Sequence, residues 1–257
     1  MKMKAAFLAL CASTAALAGG LDDLHAPWGQ VLSKIVKGDR VDYAAAKSDL
    51  PAINGYLKSL AGLDSNALKA APAAQQHALW VNAFNAAVVH LIATNPSYTT
   101  IADIPHWNDS ARVEVAGQHF SLRGIQDTIL LLDTKDARYW FATTNGTLAA
   151  SPLAPEPFTG ENLDAKLTER TKAFLADPAR VKTDAKLAHV QKNFDWLRVK
   201  PYFKKAKGGV DFADFLEKYG PAANWSSLQL SFDIPENYAK NSVAVTAPAK
   251  AKKGKKK

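Results

Sequence analysis

The sequence predicts an α+β fold: a single helix-rich domain with a small antiparallel sheet. Most of the chain consists of segments whose apolar residues recur at helical spacing, and only short segments alternate as strands do. The roughly 220 residues between the two ends contain no internal repeat and no Gly/Ser-rich linker, which is typical of one domain with a sizeable core. Because the strands are few and hairpin-like, α+β is favoured over a repeated βαβ arrangement.

Helical spacing of apolar residues predicts most of the secondary structure. Leu163, Leu167 and Phe174, for example, would lie on one face of a helix. The predicted helices, in chain order, are Leu21–Lys37, Leu50–Leu60, Ala73–Thr94, Leu122–Leu132, Asn162–Leu175, Val190–Lys200 and Asp211–Tyr219.

Two pairs of strands are predicted. The segment "RVEVAGQHFSL" indicates a β-hairpin, because Val113 and Val115 alternate with polar residues and an Ala-Gly turn precedes Phe120. A second pair is predicted from Tyr139–Thr143 and Leu228–Ile234.

The first residues have the composition of a secretory signal peptide. Lys2 and Lys4 precede an uncharged apolar run, and small residues around Ala18 resemble a cleavage site. The run is well short of the roughly 20 residues that a membrane-spanning helix needs. We therefore expect a periplasmic or secreted protein, cut after Ala18, with a globular domain over residues 19–241 and a disordered tail over residues 242–257.

The only cysteine, Cys11, lies inside this apolar run. Cleavage after Ala18 would leave a mature chain with no disulfide, no thiolate nucleophile and no cysteine metal ligand. No later segment is long and apolar enough to predict a membrane span. A hydrophobic core must therefore hold the exported domain together.

The formal net charge of +8 comes from the two ends of the chain. Without the lysines of the leader and the tail, the remaining basic residues balance the 24 acidic ones. We therefore expect no specific nucleic-acid binding by the folded part. The tail is interpreted either as a solvated appendage or as a weak contact with anionic envelope surfaces. Its lysines are Lys250, Lys252, Lys253, Lys255, Lys256 and Lys257.

The segment "QQHALWVNAFNAAVVHLI" is apolar on all sides, which indicates a central buried helix. Asn82 and Asn85 lie three residues apart and so share a face. A buried amide is costly unless it is hydrogen-bonded. The favoured interpretation is that both amides bind loop backbone; the alternative places them beside an active-site cleft.

Motifs for metal or phosphate binding are weak or missing. Asp103, His106 and Asp109 share the loop "DIPHWND", but three scattered residues do not make a metal motif, and no metal or cofactor is predicted. No phosphate-binding glycine loop and no Gly-x-Ser-x-Gly elbow are present.

The loop "FATTNGTLAASPL" has the shape of a loop that carries a nucleophile, with Ser151 as a low-ranking candidate. A catalytic serine needs a nearby base and backbone donors for an oxyanion. The sequence shows no base beside Ser151, and Pro152, Pro155 and Pro157 remove backbone N–H groups.

Several motifs in order resemble the domain-of-unknown-function family 547. They are "GDRVDYAAAKSDLPAINGYLKSL", "ALWVNAFNAAVV", "VEVAGQHFSLRGIQDTIL", "DARYWFATTNGTLAASPLAPEPFTGENLDAKL", "VQKNFDWLRVKPYF" and "DFADFLEKYGP". The most specific is the Trp-x-Asn-x-x-Asn helix, represented by Trp80, Asn82 and Asn85. The resemblance implies an α+β fold distantly similar to papain-like cysteine hydrolases, with a Cys/His site.

At the positions where the family pattern implies reactive residues, this chain has others. In and just before the loop "FATTNGTLAASPL", the implied histidine and two cysteines correspond to Trp140, Asn145 and Ala150. A Glu-His pair upstream corresponds to Gln126 and Asp127. A Cys/His mechanism needs both a thiolate and an imidazole, so the resemblance implies a vestigial cleft, to which Asn82 and Asn85 are assigned as well.

Two functions follow from this pattern. The first is a non-catalytic exported domain that binds a partner or ligand in the cell envelope. The second is a hydrolase of amide or ester bonds with a non-cysteine residue set, built from Asp127 with Thr143, Thr144 or Ser151. A hydroxyl within hydrogen-bond reach of a carboxylate or histidine would favour the second.

Overall fold

The computed structural model describes residues 20–203, 211–221 and 224–243. The predicted signal peptide and all the tail lysines lie outside these residues. Within them, none of the helices has both the length and the apolar character that crossing a membrane requires.

The α+β prediction is confirmed: helices dominate, and the described strands form small separate sheets. The α-helices are α1 Ala26–Ile35, α2 Tyr43–Ser48, α3 Leu50–Ala61, α4 Ser65–Ala70, α5 Ala73–Thr94, α6 Tyr139–Ala142, α7 Leu163–Leu175, α8 Asn193–Leu197 and α9 Phe212–Tyr219. The strands are β1 Val36–Lys37, β2 Arg40–Val41, β3 Ala111–Val115, β4 Gln118–Ser121, β5 Val181–Thr183, β6 Leu187–Gln191 and β7 Gln229–Ile234.

Helix α5 forms the centre of the first half of the chain. It is buried over most of its length and on all sides, as its uninterrupted apolar composition predicts. Helices α2 and α3, the strand β3 and a π-helix at Gly124–Leu132 all pack against it. Its apolar surface therefore organises the surrounding elements.

The hairpin β3–β4 is confirmed and also completes helix α3. Ala116 and Gly117 both have positive φ angles, as a tight two-residue hairpin turn requires. Their backbone N–H groups donate to the carbonyl oxygens of Leu60 and Ala61, at 2.9 and 3.0 Å. The turn thus satisfies carbonyls that the end of a helix leaves without partners.

A cluster of phenylalanines fills the second half of the chain. Phe141 of α6 packs against Phe174 of α7, Phe194 of α8 and Phe215 of α9, with ring centroids 5.1 to 6.3 Å apart. Aromatic rings of this kind bury large areas and favour such offset and edge-to-face contacts. They join the helices of this half into the same core as α5.

One predicted element is wrong, and another is shorter than predicted. Tyr139–Thr143 is predicted as a strand, but Tyr139–Ala142 is the helix α6, because burying Phe141 in the phenylalanine cluster outweighs the β preference of aromatic residues. The predicted helix Val190–Lys200 is helical only over Asn193–Leu197, as α8, and its first two residues end strand β6. Val190 and Phe194 have helical spacing, yet Ala188 and Val190 alternate along the strand and are both buried.

Other boundaries differ in detail. The predicted helix Leu21–Lys37 begins as a 3₁₀ turn, and α1 starts beside Pro27, whose missing N–H suits a first helical turn. The predicted strand Leu228–Ile234 exists as β7, but it pairs parallel to β6. The predicted helix Leu122–Leu132 is confirmed, and from Gly124 to Leu132 it is a π-helix, a geometry that occurs frequently at functional sites.

Candidate functional site

The loop after α6, residues 143–153, runs directly against the central helix. Gly146 has φ +73°, and a Cβ placed there would lie 2.3 Å from Cδ1 of Ile92 and 2.8 Å from Oη of Tyr43. Only glycine combines this φ with so close an approach. The Asn-Gly pair of the sequence therefore marks the point where the loop touches α5.

Helix α5 holds the loop through Asn85. Its Nδ2 donates to the carbonyl oxygen of Ala142 at 3.0 Å, and its Oδ1 accepts from the N–H of Thr144 at 3.0 Å. Asn82 does the same for another loop: it donates to the carbonyl of Phe158 at 2.7 Å and accepts from its N–H at 3.0 Å. Both amides are fully buried and bind loop backbone, in accordance with the favoured interpretation.

The C-terminal segment 239–243 pairs with the same loop from the other side. The N–H of Leu148 donates to the carbonyl of Ala239 at 2.9 Å, and the N–H of Asn241 donates to the carbonyl of Gly146 at 2.7 Å. Asn241 also accepts from the N–H of Val41 at 3.1 Å. Chain segments far apart in sequence thus meet at residues 146–148.

Two arginines bind backbone carbonyls of the loop 143–153. Arg170 of α7 donates from Nη2 to the carbonyl of Pro152, and Arg180 donates from Nη2 to the carbonyl of Leu148 at 3.4 Å. The guanidinium of Arg180 also lies 4.2 Å above the ring centroid of Phe174. Burial lowers the pKa of both arginines below its usual value. Both guanidinium groups therefore supply hydrogen-bond donors to carbonyls of the loop.

Between this loop, the π-helix and the segment 107–108 lies an open cavity of about 210 Å³. It is lined by Phe84, Trp107, Asn108, Leu122, Arg123, Gln126, Asp127, Trp140, Thr143, Asn145, Ala149, Ala150, Ser151, Asn193 and Tyr238. Its volume is below the roughly 300 Å³ at which pockets for drug-sized ligands begin. It therefore suits a small group.

The structure brings seven of the predicted site residues together at this cavity: Gln126, Asp127, Trp140, Thr143, Asn145, Ala150 and Ser151. Trp140 lines the cavity without filling it. Asn82 and Asn85 are not among the lining residues; Asn85 lies one layer behind, where it positions the backbone on either side of Thr143.

The π-helix places two of these residues in different environments. Gln126 donates from Nε2 to the hydroxyl of Thr143 at 2.6 Å, which in turn lies 3.2 Å from the carbonyl oxygen of Tyr139. Asp127 is half-buried. Burial raises the pKa of its carboxyl above the usual value, and the positive charges of Lys200 and Arg123 partly oppose this change.

The candidate hydroxyls are not arranged as activated nucleophiles. Thr143 is engaged with Gln126 and with backbone, and Thr144 accepts from the N–H of Gly146 at 3.1 Å. Within the described part of the chain, neither these hydroxyls nor that of Ser151 is hydrogen-bonded to a carboxylate or a histidine. A serine or threonine nucleophile needs such a base.

Two polar atoms at the cavity are buried and have no hydrogen-bond partner among the described residues: Oγ of Ser151 and Oδ1 of Asn193. Leaving such an atom unpaired costs about 1–3 kcal/mol. Buried polar groups are paired in most native proteins, so each exception calls for an explanation such as a bound ligand.

Asn145 uses only the oxygen of its side-chain amide in hydrogen bonds with other described residues. Its Oδ1 accepts from N–H and Oγ1 of Thr147, at 3.1 and 2.7 Å, which closes the turn before the loop crosses α5. Within the described residues, no hydrogen bond engages its amide nitrogen. At the position where the family pattern implies a cysteine, this chain therefore offers a hydrogen-bond donor to the cavity.

Five lining residues whose side chains carry a polar atom are not among the predicted site residues: Trp107, Asn108, Arg123, Asn193 and Tyr238. The first two come from the loop "DIPHWND", which the sequence singled out for its Asp and His residues. Arg123 forms an ion pair with Asp109 of that loop at 2.7 Å. Spacing within the chain gave no signal that residues 193 and 238 reach the same cavity.

The acidic and histidine residues of the loop "DIPHWND" do not converge. Asp103 accepts from Oγ1 of Thr99 at 3.0 Å, while Asp109 pairs with Arg123. His106 is exposed. Across the residues that the structure describes, no group of three or more His, Cys, Asp or Glu side chains is arranged to hold a metal ion.

Comparisons with known proteins give one match. No curated protein and no solved structure matches the chain. The sequence model of a family described as "Protein of unknown function, DUF547" matches residues 68–175, a span that runs from α4 to the end of α7 and includes α5, the π-helix and the loop at the cavity. On this match, residues 68–175 of the chain belong to the DUF547 family of proteins of unknown function.

Proposed function

We propose that this chain is an exported, non-catalytic binding domain whose cavity holds a small ligand, or part of a partner, in the cell envelope. The observation that carries the proposal is an open cavity bordered by Asn145 and Ala150, where the family pattern implies cysteines. The scaffold around it is fixed by buried hydrogen bonds, while none of the cavity's hydroxyls is paired with a base among the described residues.

The unpaired atoms favour a cavity that binds a ligand over a cavity that has lost its function. Oγ of Ser151 and Oδ1 of Asn193 carry a desolvation cost that a ligand with matching groups would remove. A ligand that binds only the folded protein would also raise its stability.

A hydrolase with a non-cysteine residue set is the second candidate, because Ser151 and Asp127 line the same cavity. It would require Asp127 or another base to approach a hydroxyl once substrate is bound. Catalytic hydrogen bonds do tighten in complexes, so activity must be measured directly.

The test is incubation of the mature protein with panels of peptide, amide and ester substrates, alongside the variants Ser151→Ala and Asp127→Asn. We expect no turnover above that of a heat-denatured sample. Turnover that either variant abolishes would contradict the non-catalytic proposal and establish the hydrolase.

Export and attachment are proposed on sequence grounds. N-terminal sequencing of the protein recovered from a periplasmic or culture fraction should begin at Gly19; an uncleaved chain would contradict export. Sedimentation with anionic vesicles, compared with a chain that ends at Val243, tests whether the lysine tail adds a weak surface contact. Equal sedimentation of both chains would exclude this role for the tail.

A further inference from the structure

We propose that the ligand of this cavity is a single neutral sugar residue, held between aromatic rings and side-chain amides. This inference rests on the proposed binding function and specifies its ligand. It is carried by the charge balance, the unused hydrogen-bonding groups and the aromatic walls of the cavity.

The charges at the cavity favour a neutral ligand. Among the residues that the structure describes, the charged ones that line it are Arg123 and Asp127. The guanidinium of Arg123 is already paired with Asp109 at 2.7 Å, and Asp127 lies in the field of Lys200 as well as Arg123. The two lining charges have opposite signs and balance, so together they favour neither an anionic nor a cationic ligand.

The available hydrogen-bonding groups are of mixed type. Oδ1 of Asn193 can only accept, the amide nitrogen of Asn145 can only donate, and the hydroxyl of Ser151 can do either. Gln126 donates through Nε2 to Thr143, and the amide of Asn108 also lines the cavity. Vicinal hydroxyls of a sugar each donate and accept, so they match such a set.

Aromatic side chains supply the remaining walls. Trp107 and Trp140 are half-buried, and Tyr238 is 52% exposed although its ring borders the cavity. The side chains of Trp and Tyr combine an apolar ring with a polar N–H or O–H group. The C–H faces of a pyranose ring pack on such surfaces while its hydroxyls reach the amides.

The size of the cavity limits the ligand to one ring. Its volume of about 210 Å³ leaves no room for an enclosed oligosaccharide, although the open mouth allows a chain to continue into solvent. Small ligands with few contacts bind weakly, so we expect dissociation constants near ~1 mM for free monosaccharides.

The experiment is a titration of the full-length mature protein with glucose, galactose and N-acetylglucosamine. It is followed by tryptophan fluorescence and by ligand-observed NMR. Trp107 and Trp140 provide the optical signal. We expect saturable binding of at least one sugar, weakened ~10-fold or more, equivalent to the loss of one good contact, by Asn193→Leu and by Trp107→Ala. Asn54→Leu, at an exposed position of α3, is the matched control and should bind normally.

A parallel titration uses N-acetyl-alanine amide, inorganic phosphate and methylammonium. Binding of one of these probes but no sugar, lost in Asn193→Leu, would overturn the sugar assignment and leave the binding function intact. Failure of all probes and of a fragment library to bind would overturn both. Circular dichroism and melting of each variant identify any loss of binding that arises from unfolding.

Discussion

At the scale of single residues, Ser151 is a buried residue at the cavity with an unpaired hydroxyl. Its side chain is 4% exposed, and its hydroxyl has no partner among the described residues. Ser151→Ala removes an unpaired polar atom without leaving another one unpaired. We expect the free energy of unfolding of the free protein to stay equal or to rise by about 1 kcal/mol.

Chemical denaturation measures this effect. Thr143→Val is the comparison, because it removes the hydroxyl that Gln126 engages at 2.6 Å and should lower the free energy of unfolding by about 1 kcal/mol. A loss above about 1 kcal/mol in Ser151→Ala would mean that the hydroxyl has a partner in solution, such as an ordered water.

Gly146 tests how tightly the loop is pressed against α5. In Gly146→Ala, an unfavourable φ of +73° adds to a clash with Ile92 and Tyr43. We expect the free energy of unfolding to fall by about 3 kcal/mol, from roughly 1 kcal/mol of left-handed strain and roughly 2 kcal/mol of overpacking.

Gly117 separates the two contributions. It has the same φ of +73°, but a Cβ there would meet no atom within 4 Å. Gly117→Ala should therefore cost only about 1 kcal/mol. Equal losses in the two variants, measured by denaturant titration, would show that the close approach of the loop to α5 adds no cost.

At the scale of elements, helix α5 holds two different loops through equivalent amides. Asn85→Ala and Asn82→Ala each leave a backbone carbonyl and an N–H buried without partners. Both should lower the free energy of unfolding by about 3 kcal/mol. Of the two, only Asn85 holds the loop at the cavity. We therefore expect Asn85→Ala, but not Asn82→Ala, to weaken ligand binding as well. Ligand titration of both variants measures this difference. Equal binding defects would contradict this division of roles.

The small sheet of the second half contains a pH-sensitive pair. His189 on β6 lies 2.7 Å from a carboxylate oxygen of Asp233 on β7 and 3.3 Å from one of Asp184. Both contacts raise the pKa of His189 above its usual value of 6.5. The resulting stabilisation is complete below pH 6.5 and is lost as pH rises through the raised pKa.

The carboxylate of Asp233 determines where the stabilisation by this pair is lost at low pH. The pKa of Asp233 is lowered, chiefly by its hydrogen bond to His189, so this contribution is present above pH 3.8 and falls in acid. Between pH 6 and 9, the melting temperature of the native protein should drop further than that of His189→Gln. His119→Gln, at an exposed position of β4, should follow the native protein. Parallel curves for the native protein and His189→Gln would exclude the pair.

Which elements could be predicted depends on whether local or distant contacts decide them. Helices α3 and α5 and the hairpin β3–β4 follow their apolar period and turn residues closely. Helix α6 does not, because distant phenylalanines determine the conformation of Phe141. Short-range periodicity carries no information about such contacts.

At the scale of the whole molecule, the same reasoning applies to the cavity. The sequence and the family resemblance identified Gln126, Asp127 and several residues between 140 and 151. These positions lie close together along the chain. It did not identify Asn193 or Tyr238, since their arrival at the cavity depends on the path of the chain through β6 and β7. A pattern within a short segment predicts which residues share a face, whereas only the fold determines which faces meet.

The C-terminal segment 239–243 connects several parts of the chain around the loop at the cavity. It binds the backbone of residues 146 and 148, of Val41 and of Thr99, with N···O distances of 2.7 to 3.2 Å. Nδ2 of Asn241 also donates to the carbonyl of Asp39 at 2.8 Å. One short segment therefore connects three parts of the chain that are otherwise far apart in sequence.

Ending the chain after Tyr238 should lower the free energy of unfolding by about 3 kcal/mol, because several buried backbone groups lose their partners. For a domain of this size, this corresponds to a fall of roughly 6–12 °C in Tm. A chain ending after Val243 keeps every one of these hydrogen bonds and is the matched control, expected to melt with the full-length protein. The shorter chain retains Tyr238, so any accompanying loss of ligand binding would come from release of residues 146–148. If both truncated chains melted together, the segment would not support the loop at the cavity.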